Sequence, residues 1–113
     1  MPLTNQQVKD HAFLGGLYKT EHAPAHVLDK GKAILVALCE RIEAEKPADL
    51  DALYVLTHAA TEEFNDLEAE FDEAGSEIET IAREEIGDDF WFVATAYGFE
   101  DADIEELIAP REW

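Results

Sequence analysis

The stretch Leu53-Tyr54-Val55-Leu56-Thr57-His58-Ala59-Ala60-Thr61-Glu62-Glu63-Phe64-Asn65-Asp66-Leu67-Glu68-Ala69-Glu70-Phe71 decides the fold of this 113-residue chain. Leu53, Leu56, Ala60, Phe64, Leu67 and Phe71 recur every three or four residues, which gathers them on one face of an α-helix. Nothing in the stretch alternates with period two for long enough to suggest a strand. Lys46-Pro47 breaks the chain ahead of it, Asp49 can cap its start, and Gly75 stops it just past Ala74. Such a helix must lay its apolar face against others.

The flanking segments supply those partners. Upstream, Pro24 suits the first turn of a helix whose core face is Val27, Leu28, Ile34, Leu35, Leu38 and Ile42. Gly31 lies in the middle of that face, where a glycine lowers helix stability but lets a neighbouring helix come close. A first helix opens on a capping-box pattern, Thr4 with Gln7, and weakens at Gly15-Gly16 near Tyr18. Downstream, Ser76 with Glu79 caps a helix that Gly98 can end as its C′ residue. Phe90, Trp91, Phe92, Val93, Ala94, Ala96 and Tyr97 make that helix apolar over most of its circumference, as expected of one surrounded by others. A short last helix over about 103–109 offers Ile104, Leu107 and Ile108 before Pro110 ends it. Loops this short imply antiparallel neighbours. The expected fold is all-α: a compact antiparallel bundle of four main helices plus a short C-terminal helix, one domain over residues 1–113.

Charge is distributed unevenly. Residues 1–43 hold five acids and five bases, whereas from Ala44 onward 22 acids face only Lys46, Arg83 and Arg111, which gives the whole net charge of −19. The acids alternate with apolar positions, unlike a disordered acidic tail. A field of this sign repels nucleic-acid phosphates and anionic membranes and speeds encounter with a basic protein. Direct nucleic-acid binding is therefore not expected. Residues 90–99 are the longest uncharged apolar stretch, half of the roughly 20 residues a membrane span needs. Met1-Pro2-Leu3-Thr4-Asn5-Gln6-Gln7 has no export signal, and a single cysteine, Cys39, excludes an internal disulfide and a cysteine-based zinc site. A cytoplasmic domain without a cofactor is the expectation, its oligomeric state open.

Leu56-Thr57-His58-Ala59-Ala60-Thr61-Glu62, Ser76-Glu77-Ile78-Glu79-Thr80-Ile81-Ala82-Arg83-Glu84, Ala96-Tyr97-Gly98-Phe99 and the tail Ala102-Asp103-Ile104-Glu105-Glu106-Leu107-Ile108, closing on Arg111 and Trp113, are distinctive phrases. Through them almost the whole chain resembles a small bacterial family of uncharacterised single-domain proteins, a domain of unknown function. The resemblance implies one domain and a bacterial source. It carries over no activity, cofactor or catalytic residue.

Recognisable catalytic motifs are lacking. Gly15-Gly16 has no neighbouring lysine for a phosphate loop, and Ser76, the only serine, reads as a cap. On a helical wheel Tyr54, His58, Thr61 and Asn65 form a stripe beside the apolar face, with Glu62 one turn from His58. The stripe would suit a binding cleft, with donors, acceptors and a group titrating near neutrality, but the reading preferred is a boundary row whose polar tips reach water or neighbouring backbone. Glu85 and Asp89 fall inside the apolar sector marked by Ile78, Ala82, Phe92 and Val93. There they need a proton, a hydrogen-bond donor, a cation such as Arg83 or Arg41, or a metal.

Together His58, Glu62, Glu85 and Asp89 could form a metal or hydrolytic site between two antiparallel helices. The Glu-x-x-His spacing of di-iron bundles is absent, and His22 and His26, divided by Pro24, make no secure ligand pair. Trp91 projects away from the centre of its helix's apolar face, near Thr80, Arg83 and Glu84. It either anchors an interface or packs beneath the first or last helix. Trp113 is expected to dock on the body.

The leading functional reading is a non-enzymatic acidic domain that engages a basic protein, as immunity-like or inhibitor-like proteins do. Its face is expected at Glu62, Glu63, Asp66 and Glu70 and at Glu77, Glu84 and Asp88, with the stripe, Arg83 and Trp91 as further binding residues. The alternative is the His58, Glu62, Glu85 and Asp89 metal or hydrolytic cluster.

Overall fold

Residues 4–18, 25–73 and 80–112 are described by a computed structural model, with all their side chains except those of Leu17, 71–73 and 80–82. The Gly75 stop, the Ser76/Glu79 capping box, Glu77, Ile78, His22, Pro24 and Trp113 lie outside the described residues. So do the side chains of Phe71, Thr80 and Ala82. Three long helices, α3 (Ala25–Glu45), α4 (Leu50–Glu73) and α5 (Thr80–Ala96), carry the body; α1 (Gln6–Asp10), α2 (Gly15–Tyr18) and α6 (Ile104–Leu107) are short. No strand occurs among the described residues.

Helix α4 presents the stripe expected of it: Leu53, Leu56, Ala60, Phe64 and Leu67 are all buried. Asp49 caps its start, accepting from the Ala52 amide at 2.9 Å. Its partner α3 buries Val27, Leu28, Leu35, Leu38 and Ile42, while Ile34 is half-buried against the same core. The two run antiparallel, joined by residues 46–49, so Lys30 near the start of α3 pairs with Glu70 near the end of α4. Gly31 makes that approach possible. A Cβ there would lie 2.9 Å from Leu14 Cδ1 and 3.2 Å from Phe64 Cε1, closer than packed atoms tolerate.

The N-terminal segment differs from the single helix expected. Asn5, not Thr4, caps α1, its side chain accepting from the Val8 amide, and α1 stops at Asp10. Thr4 is turned to α3 instead, where its amide and hydroxyl both donate to Glu43. The break has a packing cause. On one continuous helix Val8 and Phe13 would project about 140° apart, with Leu14 further round, so no single face could bury all three. Breaking at His11 and turning through Leu14, whose φ is 57°, buries all three side chains.

Ile86, Phe90, Val93 and Ala94 of α5 are fully buried, and the helix packs against α1, α2, α3 and α6. It is not enclosed all round, since Trp91 is 44% exposed. At its end the Phe99 amide donates to Ala94 O at 2.8 Å and the Gly98 amide to Thr95 O at 3.0 Å, the two bonds of a Schellman cap, with Gly98 at φ 89°. A Cβ on Gly98 would touch nothing. Gly98→Ala is therefore expected to cost about 1 kcal/mol through backbone conformation alone, read as a lower urea midpoint at unchanged denaturant slope. The last helix is shorter than the sequence suggested: α6 covers Ile104–Leu107, with Asp103 as N-cap accepting from the Glu105 amide.

Candidate functional site

The polar stripe of α4 is a ladder of hydrogen bonds to the backbone of the C-terminal segment. From one end to the other, Tyr54 Oη accepts from the Asp103 amide at 3.2 Å and His58 Nε2 meets Glu106 O at 2.6 Å. Thr61 Oγ1 donates to Thr57 O at 2.8 Å and reaches Leu107 O at 3.3 Å. Asn65 then does two things at once, donating to Pro110 O at 3.0 Å and accepting from the Glu112 amide at 2.8 Å. The spacing follows from two chains running side by side: one rung per helical turn of α4 meets successive carbonyls and amides that α6 is too short to satisfy itself. Tyr54 and His58 stack with ring centroids 6.1 Å apart, which holds the upper rungs in register. Of the two readings of the stripe, the backbone-facing row is the one found. Glu62, on the exposed side of the same helix, takes no part in it.

The inward acids of α5 and α3 perform the same service at the other terminus. Asp89, 5% exposed, accepts from the Leu14 amide at 2.7 Å and from His11 Nε2 at 2.8 Å. Glu85 accepts from the Gly16 amide at 3.0 Å. Burial pushes the Asp89 carboxyl above its ordinary value; the His11 and Leu14 hydrogen bonds restrain that rise, and Glu85 adds to it. His11 lies against Phe92 at a centroid distance of 3.9 Å and edge-on to Phe13 at 4.8 Å, which fixes the ring over the carboxylate. His11 was not found by sequence reasoning. The only signal was indirect, since an inward carboxylate needs donors and few side-chain donors were on offer.

Glu43 on α3 completes this pin. It accepts from the Thr4 amide at 2.8 Å, the Thr4 hydroxyl at 2.7 Å, the Asn5 amide at 3.2 Å and the Tyr97 hydroxyl at 2.5 Å. Burial alone would raise its pKa, but the bonds from Tyr97, Thr4 and Asn5 outweigh it and lower the value from 4.5 to about 2. A depressed carboxylate stabilises the fold above its unfolded pKa, and that contribution is lost as pH falls through the folded value. Glu43→Gln is thus expected to flatten the acid side of the stability profile between 4.5 and about 2, measured as urea midpoints across pH.

This geometry overturns the proposed cluster of His58, Glu62, Glu85 and Asp89. His58 faces α6 and Glu62 is exposed, both on α4, whereas Glu85 and Asp89 turn toward His11, Leu14 and Gly16. No three His, Cys, Asp or Glu side chains gather as metal ligands among the described residues. The candidate cations do not serve the inward acids either: Arg41 pairs with Glu45 on its own helix, and Arg83 lies on the α6 side of α5. The expectation that Trp91 packs beneath a terminal helix also fails, because its helix rotates Phe90 and Val93 into the core and leaves Trp91 outside.

The outward surface of α5 carries what the inward surface does not use. Glu84 and Asp88 are exposed seven and three residues before Trp91, hence on the same side of the helix, and both line a groove with Glu105 of α6. On α4, Glu62, Glu63 and Asp66 are exposed, while Glu70 is held by Lys30. No helix of the described residues is long and apolar enough to cross a membrane.

Fold and polar network together define a small all-α domain whose inward polar groups tie down its own ends. The sequence model of a family of unknown function, DUF5713, matches residues 7–113, and the chain belongs to that family. No curated protein and no solved structure matches it.

Proposed function

We propose that this chain is a non-enzymatic, acidic protein-binding domain that engages a basic surface on a partner, in the manner of immunity-like or inhibitor-like proteins. One observation carries the reading: Trp91 is 44% exposed on the same side of α5 as the exposed acids Glu84 and Asp88. A large aromatic ringed by carboxylates combines an anchor that desolvates well with a field that draws in a positive partner. Glu62, exposed on α4, is a further acid of this reading. Tyr54, His58, Thr61 and Asn65 contribute from beneath by fixing α6, and Arg83 lies at its edge.

The test is affinity capture from the source organism at low ionic strength, with wild type beside Trp91→Ala and Glu84→Lys/Asp88→Lys. The reading expects a basic protein that wild type retains, that rising salt releases, and that both variants lose by about tenfold or more. Retention of no basic protein, or retention indifferent to both variants, would sink it.

A further inference from the structure

Between α1 and α5 lies an open hollow of about 510 Å³, lined by Gln7, Asp10, His11, Phe92, Thr95 and Glu100. Its polar groups share one property: their donors are committed elsewhere and their acceptors are left over. His11 turns Nε2 to Asp89, a carboxylate that also takes the Leu14 amide, so Nε2 carries the ring proton. Nδ1 of the neutral ring is then a lone-pair acceptor. It has no partner among the described residues and is not buried, the side chain being 27% exposed. Thr95 donates its hydroxyl proton to Phe92 O at 3.0 Å, which leaves the lone pairs of its oxygen. Asp10 accepts from Gln6 through Oδ1 at 2.9 Å and keeps Oδ2, while Glu100 is exposed and makes no hydrogen bond or ion pair with a described residue. Apart from the Gln7 amide, which can present either end, the hollow offers acceptors alone, two of them charged, and no lysine or arginine among the described residues lines it.

The complement of such a surface is a cation rich in N–H donors. A guanidinium meets it better than an ammonium, because its donors fan out in a plane and can reach acceptors on α1 and on the segment after α5 together. The wall that these acceptors share is aromatic, Phe92 stacked on His11 at 3.9 Å, and a planar delocalised cation lies well against aromatic rings. Position ties the hollow to the acidic face. Glu84, Asp88, Trp91 and Thr95 of α5 fall within about 60° of one another around the helix, so the row that carries the exposed tryptophan runs into the hollow at Thr95. We propose that the α1–α5 hollow receives the guanidinium of an arginine carried by the basic partner, between Asp10 and Glu100 and against the His11–Phe92 pair. The source of that arginine rests on the acidic-face reading above; the preference for a guanidinium rests on the hollow alone.

Titration of the ¹⁵N-labelled full chain with Nα-acetylarginine amide, followed by NMR, tests the site. Saturable shifts are expected at the His11 ring nitrogens and at the Gln7 and Thr95 amides. The lysine analogue should bind about tenfold more weakly, and the neutral citrulline analogue should give no saturation. Asp10→Asn/Glu100→Gln, at two exposed positions, should abolish the shifts, while Glu63→Gln, exposed on α4, should leave them unchanged. The proposal is overturned if the probe gives no saturable shift, if the lysine or citrulline analogue binds as tightly, or if the folded double variant binds like wild type. Free arginine binding more than about tenfold tighter than the blocked probe would also overturn it, since that marks a site for the amino acid itself and not for a side chain. Affinity capture separates the two claims. A basic protein that Trp91→Ala releases and Asp10→Asn/Glu100→Gln holds undiminished would remove the arginine from the hollow and leave the acidic face; a saturating probe with no basic protein captured would remove the face and leave the guanidinium site.

Discussion

Asp89→Ala is expected to destabilise the domain by about 3 kcal/mol, seen as a lower urea midpoint and a melting temperature lower by roughly 10–15 °C. The substitution removes the acceptor of a buried amide, Leu14 N, and the anchor of His11 in one step. An orphaned buried donor costs about 1–3 kcal/mol, and losing a hydrogen bond to a charged group costs a similar amount, offset in part because a buried carboxylate no longer has to be desolvated. Leu14 is held at φ 57°, a conformation its side chain does not favour, so once Asp89 is gone the turn is left to the Gly15 amide bond to Ala12 O and the Gly16 amide bond to Glu85. Asp88→Ala, one residue away but exposed, should change stability by less than about 0.5 kcal/mol.

The pH dependence separates Asp89 from Glu43. Asp89 has a raised pKa in the fold, so the folded state takes up its proton more readily than the unfolded chain. Its ionisation therefore works against folding as pH rises through the raised value, the opposite sign to Glu43.

His58→Ala/Asn65→Ala is expected to cost about 2 kcal/mol and to act locally. The pair supplies three bonds to the C-terminal backbone, at Glu106 O, Pro110 O and the Glu112 amide. Each contributes about 1 kcal/mol or somewhat less where it is open to water. With those rungs gone, Thr61 and Tyr54 are the rungs of the ladder that remain among the described residues, beside the buried side chains of Leu107 and Ile108. Hydrogen exchange should show the amides of residues 105–112 losing protection while those of α3 keep theirs. Uniform loss across all helices would mean that the ladder belongs to the global core and not to a local clasp.

Much of this was legible in the sequence. The apolar face of α4 from Leu53 to Leu67, the close approach at Gly31 and the stop at Gly98 all follow from periodicity and backbone chemistry, which are properties of neighbouring residues. The inward direction of Glu85 and Asp89 was legible for the same reason. What they face was not, because their partners are backbone amides in a turn whose shape comes from packing Val8, Phe13 and Leu14 together. A side-chain motif search looks for side-chain partners, so it joined Asp89 to His58 when the actual ring is His11. Likewise the Tyr54, His58, Thr61 and Asn65 stripe was visible as a row, but its use was hidden, since carbonyls of a distant segment leave no mark in the sequence.

The polar groups that face inward in this domain fasten its ends, and the Leu14 amide reports on that most directly. It lies outside every helical hydrogen-bond ladder, with the Asp89 carboxylate as its acceptor. Native-state hydrogen exchange by NMR should find it protected to a degree comparable with the α5 core amides in wild type, and exchanging near the intrinsic rate of a free chain in Asp89→Ala. Exchange of Leu14 at the free-chain rate in the wild-type protein would contradict the account.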